Sequence, residues 1–152
     1  MATISISYDS LVPESLSQSD SDLMARALEA RINAYAPYSH FRVGCAVRLS
    51  DGRIFCGSNQ ENSAYPSGLC AERVALFAAH NDLRDAWITD IALVGGAGAE
   101  IAEEPVFPCG DCAQVLLEFE SPEHPVNILC AGSKRVLKLT GAASLLPFGF
   151  EK

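Results

Sequence analysis

Three cysteines and one glutamate form two short motifs with the residue types of a catalytic metal site. Cys70 and Glu72 belong to the stretch Cys-Ala-Glu-Arg, and Cys109 and Cys112 belong to Pro-Cys-Gly-Asp-Cys. Deprotonated sulfur binds Zn²⁺ well, and three protein ligands leave the fourth tetrahedral position for water. Glu72 lies two residues after the first ligand, so it can stay off the metal and act on that water. The motifs therefore predict one zinc ion per chain and metal-assisted hydrolysis.

The residues around these motifs leave two interpretations open. Three thiolates make a zinc site net negative, and Arg73 is the candidate that donates to the sulfurs and restores Lewis acidity to the metal. The alternative for Arg73 is an ordinary ion pair on a helix surface. A purely structural zinc site would favour a fourth cysteine or histidine. The three histidines lack ligand spacing to either motif, so we favour the catalytic interpretation.

The zinc motifs require secondary structure that brings them together. Hydrophobic periodicity predicts a helix from about residue 21 to Pro37, capped by Ser19 or Ser21, and helices at 70–81 and 109–119. Both cysteine motifs thus fall at helix starts, where free N–H groups and the helix dipole favour thiolate over thiol. Strands are predicted at 41–49, 53–58, 88–94, 126–131 and 135–139, with a hairpin turn at 50–52.

This order of elements predicts an α/β fold with a five-stranded mixed sheet covered by helices. Only three residues link the last two strands, which is too few for a parallel crossover, so that pair should be antiparallel. Residues 1–18 are rich in serine and are predicted to be a loosely ordered extension. Residues 19–152 should form a single catalytic domain.

Composition excludes several classes of protein. The net charge of −8 and the pI of about 4.7 argue against a nucleic-acid partner. No apolar run approaches the ~18 residues of a membrane span, and the N-terminus lacks the features of a signal peptide. We therefore expect a cytoplasmic protein without a membrane partner, whose six cysteines stay reduced rather than forming a disulfide framework.

Beyond the zinc motifs, the chain resembles the small, homotetrameric, zinc-dependent cytidine deaminases of pyrimidine salvage, of the three-cysteine type. The resemblance extends from about residue 20 to residue 150, and a Cys-x-Glu with a later Pro-Cys-x-x-Cys is the deaminase signature. The motifs that carry it are 38–46, 59–65, 70–73, 108–114 and 145–147 with Phe150. It implies the three-layer cytidine-deaminase-like fold, with helices on both faces of the sheet. It also implies hydrolytic deamination of cytidine and deoxycytidine to uridine and deoxyuridine, with release of ammonia.

The same resemblance implies roles for five residues around the substrate. Phe41 packs against the pyrimidine, Asn59 and Glu61 hold the ribose 3′-hydroxyl, and Tyr65 and Phe150 complete sites across subunit interfaces. Taken singly, Phe41, Asn59 and Glu61 would also suit a strand core, a turn and a solvated loop. Their joint occurrence in this order favours the binding roles.

In the implied mechanism Glu72 takes a proton from a zinc-bound water, the resulting hydroxide attacks C4, and Glu72 then protonates N3 and the leaving amine. Ala113 and Asp111 depart from the usual family motif, which affects contacts around the ligands rather than the ligands themselves. One alternative is a deaminase of another cytosine nucleoside such as blasticidin S, which would not need Asn59 and Glu61. A structural zinc module is the other alternative, and it predicts no loss of function when Glu72 is changed.

Overall fold

A single mixed β-sheet between two layers of helices makes up the fold. The computed structural model describes residues 1–150 and has six strands in the order β1-β6-β5-β4-β2-β3. The strands are β1 Asp9–Leu11, β2 Phe41–Leu49, β3 Ile54–Ser58, β4 Ile88–Ala97, β5 Asn127–Ala131 and β6 Val136–Thr140. The helices are α1 Gln18–Arg31, α2 Ala71–Asn81 and α3 Gly110–Phe119. The predicted α/β class and three-layer arrangement are confirmed.

The N-terminal strand is the main difference from the predicted sheet. β1 pairs antiparallel with β6, with Asp9 opposite Lys138 and Leu11 opposite Val136. It makes the sheet six-stranded instead of five-stranded, and it gives regular structure to part of the segment that we expected to be loosely ordered. Its three residues are too few to show a clear alternation, and the pairing is with a strand more than 120 residues away.

The helix boundaries also differ slightly from those predicted. α1 begins at Gln18 because the Ser17 side chain accepts a hydrogen bond from the Asp20 N–H. The predicted caps, Ser19 and Ser21, therefore lie inside the first turns of the helix. The predicted antiparallel pairing of the last two strands is confirmed, since Asn127 of β5 lies opposite Thr140 of β6.

Alternation along the strands produces a core on each face of the sheet. Ala46 of β2 and Ala92 of β4 pack with Leu23 and Ala27 of α1. Neighbouring residues of the same strands point to the opposite face, where they pack against α2 and α3. The buried members of that second core include Cys45, Val47, Leu49, Ile91, Leu93, Leu76 and Leu116. Small residues such as Ala27 and Gly44 allow α1 to approach β2 closely, because a side chain at Gly44 would overlap the α1 backbone.

The sheet topology directs α2 and α3 to the same edge of the sheet. β3 and β4 are both antiparallel to β2, so they run in the same direction on either side of it. α2 follows β3 and α3 follows β4, and both helices therefore begin near the carboxyl ends of those strands. Among residues 1–150, no helix is long and apolar enough to cross a membrane.

Candidate zinc site and substrate cleft

The three predicted ligands converge at the N-termini of α2 and α3. Cys70 is the N-cap residue of α2 and Cys109 that of α3, while Cys112 lies in the first turn of α3. The sulfur atoms of all three lie within 4.8 Å of one another. The Sγ–Sγ distance is 3.9 Å from Cys70 to Cys109 and 3.6 Å from Cys109 to Cys112.

This spacing fits a tetrahedral zinc ion. Zn–S bonds of about 2.3 Å at tetrahedral angles place two sulfurs about 3.8 Å apart. The measured separations bracket that value, and three cysteines from two helix starts are a donor set that zinc prefers. The residues present therefore fit the metal.

The electrostatics of the cluster favour a thiolate at Cys70. The pKa of Cys70 is lowered to about 5, first by its hydrogen bond with Cys112 and then by those with Arg73 and Cys109. The pKa of Cys112 is raised, because the proton of that shared hydrogen bond stays on it and because it is buried near Glu72. One proton is thus held between these two sulfurs, and a divalent cation would displace it.

Glu72 is a buried carboxyl group next to the sulfur cluster. Its residue is only 4% exposed. Burial raises its pKa to about 7, and the negative charge of Cys70 adds to that effect. A carboxyl group whose pKa lies near neutrality can both accept and donate a proton at physiological pH, which is what a proton shuttle needs.

Arg73 contacts the sulfur cluster as the sequence predicts. Its guanidinium donates to the Cys70 sulfur at 3.7 Å, and that hydrogen bond raises the arginine's pKa. The Arg73 Nε is buried and donates to no acceptor among residues 1–150. A buried, unsatisfied donor beside three sulfurs is placed to interact with the additional negative charge that thiolate ligands would bring.

A cleft of about 590 Å³ opens beside these residues. Cys70 and Arg73 line it, together with Asn59, Glu61, Tyr65 and neighbouring loop residues. The structure thus brings three of the five predicted substrate residues to the zinc-ligand candidates. Phe41 and Phe150 are not among the residues lining this cleft.

Asn59 fixes the first residues of β2. Its side-chain oxygen accepts from the Val43 N–H at 2.8 Å, and its side-chain nitrogen donates to the Phe41 carbonyl at 2.9 Å. The Phe41 ring lies over Gly95, where any side chain would collide with it. An amide group can make further hydrogen bonds beyond these two, so Asn59 can position β2 and still bind a substrate hydroxyl.

Glu61 is held by the turn that precedes β2. One carboxylate oxygen, Oε2, accepts from the Tyr38 N–H at 2.9 Å and from the Ser39 N–H at 3.3 Å. The other, Oε1, accepts from the Ser39 hydroxyl. The hydrogen bond from the Ser39 hydroxyl lowers the pKa of Glu61 most, and the hydrogen bonds from the two N–H groups lower it further. Glu61 is therefore an ionised acceptor on the rim of the cleft.

Tyr65 and Phe150 are among the most exposed aromatic residues. Their exposures are 80% and 84%, respectively. The Phe150 backbone is fixed by Gln114, whose side chain accepts from the Phe150 N–H at 2.8 Å and donates to its carbonyl at 3.0 Å. Gln114 belongs to α3, two residues after Cys112, so the C-terminal segment is tied to the zinc-ligand helix.

The sequence and the fold both match known deaminases. The family described as "Cytidine and deoxycytidylate deaminase zinc-binding region" matches residues 17–127. The chain belongs to this family. The chain is also similar to a cytidine deaminase of Sporosarcina psychrophila, with 42% identity over 131 residues that cover 86% of this chain and 90% of the relative. Membership of the deaminase family makes the chain a zinc-dependent hydrolase.

Solved structures of the deaminase family share the fold. A crystal structure of cytidine deaminase from Burkholderia pseudomallei has a TM-score of 0.72 at 36% identity, with coverage of 89% of this chain and all (100%) of the other. Cytidine deaminase from Mycobacterium tuberculosis gives a TM-score of 0.68 at 32% identity, with coverage of 90% and 100%. These similarities agree with the three-layer arrangement described above.

Two residues that position other residues of this site, Ser39 and Gln114, were not predicted from the sequence. Ser39 and Gln114 each hold a predicted functional residue through hydrogen bonds that span 22 and 36 positions of the chain, respectively. Both lie within the motifs that carry the family resemblance, which is the only signal that could have indicated them. Their polar side chains alone are equally typical of turns and helix surfaces.

Proposed function

We propose that the chain hydrolyses cytidine and deoxycytidine to uridine and deoxyuridine, with release of ammonia. One observation carries the proposal: three sulfurs at zinc-binding distances lie beside a buried carboxyl group, and one of them, that of Cys70, belongs to a residue that lines a cleft with polar residues. Cys70, Cys109 and Cys112 would hold the zinc ion. When bound, zinc supplies Lewis acidity towards a water molecule.

The chain's own residues would carry the proton transfers. Glu72 accepts one proton from the attacking water and passes it to N3, and then accepts the second proton of the same oxygen and passes it to the leaving amine, so that water and cytidine become uridine and ammonia. Its raised pKa, about 7, suits a group that must accept and release a proton twice in one turnover. Arg73 would stabilise the thiolates, and the burial of Glu72 would keep bulk water from competing for its proton.

The cleft rim would bind the nucleoside. Asn59 and Glu61 present an amide and a carboxylate to the ribose 3′-hydroxyl, and Phe41 would supply an apolar surface to the base. A site built to hydrogen-bond a hydroxyl rejects analogues that lack it, because its polar groups are then left unpaired.

We also propose that the chain acts as a homotetramer in the cytoplasm. Tyr65 and Phe150 expose large aromatic surfaces, and burying them against neighbouring subunits would complete adjacent sites. All six cysteines are free thiols, as the reducing cytoplasm requires of a protein that binds zinc through sulfur. In this proposal residues 19–152 form the catalytic domain and residues 1–18 an extension attached to its sheet.

The test is a direct assay on one zinc-loaded preparation. Loss of cytidine absorbance should accompany the appearance of uridine and one equivalent of ammonia. A parallel assay with blasticidin S should show much slower turnover, because that compound lacks the ribose hydroxyls that Asn59 and Glu61 would bind. Faster turnover of blasticidin S would reverse the substrate assignment, and no turnover of either compound would reject deamination.

A further inference from the structure

The turn before β2 contains a hydrogen-bond relay that ends on Glu61. The Phe41 N–H donates to the Ser39 Oγ at 3.0 Å, and the Ser39 hydroxyl donates to Glu61 Oε1. Between them, His40 has a φ of 57°, in the left-handed region that non-glycine residues seldom adopt. This conformation accompanies the turn that lets the Ser39 side chain accept from the N–H two residues later. Ser39 therefore joins the start of β2 to the cleft rim.

The hydrogen bonds of Glu61 leave one acceptor position for a ligand. A carboxylate offers about four lone-pair positions, two on each oxygen. Oε2 uses two of them for the N–H groups of Tyr38 and Ser39, and Oε1 uses one for the Ser39 hydroxyl. The remaining position is on Oε1. A hydroxyl group of a bound nucleoside would thus share this oxygen with Ser39.

The backbone of Glu61 is fixed independently of its side chain. The Glu61 N–H donates to the Tyr35 carbonyl at 2.9 Å, and the Tyr35 N–H donates to the Asn59 carbonyl at 2.9 Å. Removing the Ser39 hydroxyl would leave this backbone pairing in place. The carboxylate would then keep its two hydrogen bonds at Oε2 but lose the one that holds Oε1, the oxygen with the free acceptor position.

We propose that Ser39 is a positioning residue that orients the Glu61 carboxylate and thereby sets selectivity for nucleosides that carry a ribose 3′-hydroxyl. This inference rests on the proposed function and deepens it. Ser39 lines the cleft, but it acts on the substrate through Glu61. A serine suits the position because its hydroxyl can accept from Phe41 and donate to Glu61 at the same time.

The experiment compares cytidine with 3′-deoxycytidine on the zinc-loaded full chain. We expect Ser39→Ala to lower the ratio of the two kcat/KM values about five- to tenfold, through a higher KM for cytidine with little change in kcat. Ser39→Thr keeps the hydroxyl and should keep the ratio. Ser39→Cys has nearly the same size but a weak donor, so it should behave like Ser39→Ala. Ser67→Ala is the matched control, because Ser67 is an exposed serine of the segment between β3 and α2 that also carries Glu61, and this change should leave both substrates unaffected.

A double-mutant cycle tests whether Ser39 acts through Glu61. In a Glu61→Gln background, Ser39→Ala should cause no further loss of selectivity. An equal loss of selectivity in both backgrounds would overturn the inference, and so would an unchanged ratio in Ser39→Ala and Ser39→Cys. In either case, cytidine turnover by the wild-type chain would still support the proposed function. Absence of that turnover would overturn both.

Discussion

The sulfur cluster and the cleft rim lie side by side but are organised in opposite ways. Apart from the exposed Cys109, the cluster consists of buried or half-buried groups. The pKa values of Cys70 and Glu72 are shifted, and Arg73 retains an unsatisfied donor. The rim residues Asn59 and Glu61 are already hydrogen-bonded to backbone atoms of β2 and of the turn before it. A bound cation would therefore stabilise the charged groups of the cluster, whereas the rim is held in place by hydrogen bonds within the chain.

This difference predicts how damage to each region will appear. Changes in the sulfur cluster should abolish zinc binding or the chemical step, because the groups there interact mainly with one another and with the metal. Changes at the rim should alter substrate affinity and local stability, since Asn59 and Glu61 each hold a backbone segment and, in the proposed function, would also bind a substrate hydroxyl. Zinc content, kcat and KM therefore distinguish damage to the cluster from damage to the rim.

Removing the metal should have the largest effect. We expect chelation to remove one zinc per chain, as elemental analysis would show, and to reduce deamination below detection. Added Zn²⁺ should restore activity and Mg²⁺ should not, because soft sulfur ligands disfavour a hard cation. The apo protein should also melt at a lower temperature, since zinc binds only the folded cluster. Full activity in a metal-free preparation would contradict the assignment of the cluster.

Glu72→Gln tests the chemical step within an intact cluster. The amide keeps the size of the side chain but cannot shuttle a proton, so kcat should fall by about 10²–10⁴. Zinc content should stay at one per chain, and KM should change little. Glu14→Gln, at an exposed position near the N-terminus, serves as a control for the loss of one negative charge. Turnover of Glu72→Gln near the wild-type rate would exclude the proton-shuttle role and favour a structural metal site.

Arg73→Gln should have a smaller effect, and on the metal rather than on the substrate. Losing the donor to Cys70 Sγ leaves the thiolates' charge uncompensated, so zinc affinity or kcat should fall about 10–100-fold. Arg73→Lys keeps the charge and should recover part of the loss. Competition with a chromogenic chelator measures the affinity. Arg26→Gln, which removes an exposed ion pair with Glu29, is the matched control and should bind zinc like the wild type.

The same contrast explains what could be predicted from the sequence. Cys70, Glu72 and Cys112 carry chemistry that few other residue types provide, and their spacing alone indicated a zinc site. Strands such as β2 were found because hydrophobic alternation is a local signal. β1 was missed because it is short and depends on pairing with a distant strand.

The hydrogen bonds of the rim could not be predicted from the sequence. The resemblance to a family indicated Asn59 and Glu61, but their hydrogen bonds to the 38–43 segment depend on the folded chain. The residue type of Ser39 does not indicate its role, because a serine before a strand is an ordinary turn residue. A side chain with several weak partners can be understood only from the structure, whereas a metal ligand often reveals itself by type and spacing.

Changing Asn59 should have the smallest effect on turnover, and it should weaken both substrate binding and the stability of the fold. Asn59→Asp keeps an acceptor for the Val43 N–H but replaces the donor to the Phe41 carbonyl with a negative charge. We expect KM for cytidine to rise about tenfold with kcat nearly unchanged, and the free energy of unfolding to fall by about 1–3 kcal/mol. Steady-state kinetics and urea unfolding measure these effects. Asn33→Asp, at an exposed position near the end of α1, controls for the added charge. A fall in kcat or zinc content with unchanged KM would place Asn59 with the sulfur cluster and remove the distinction between the two regions.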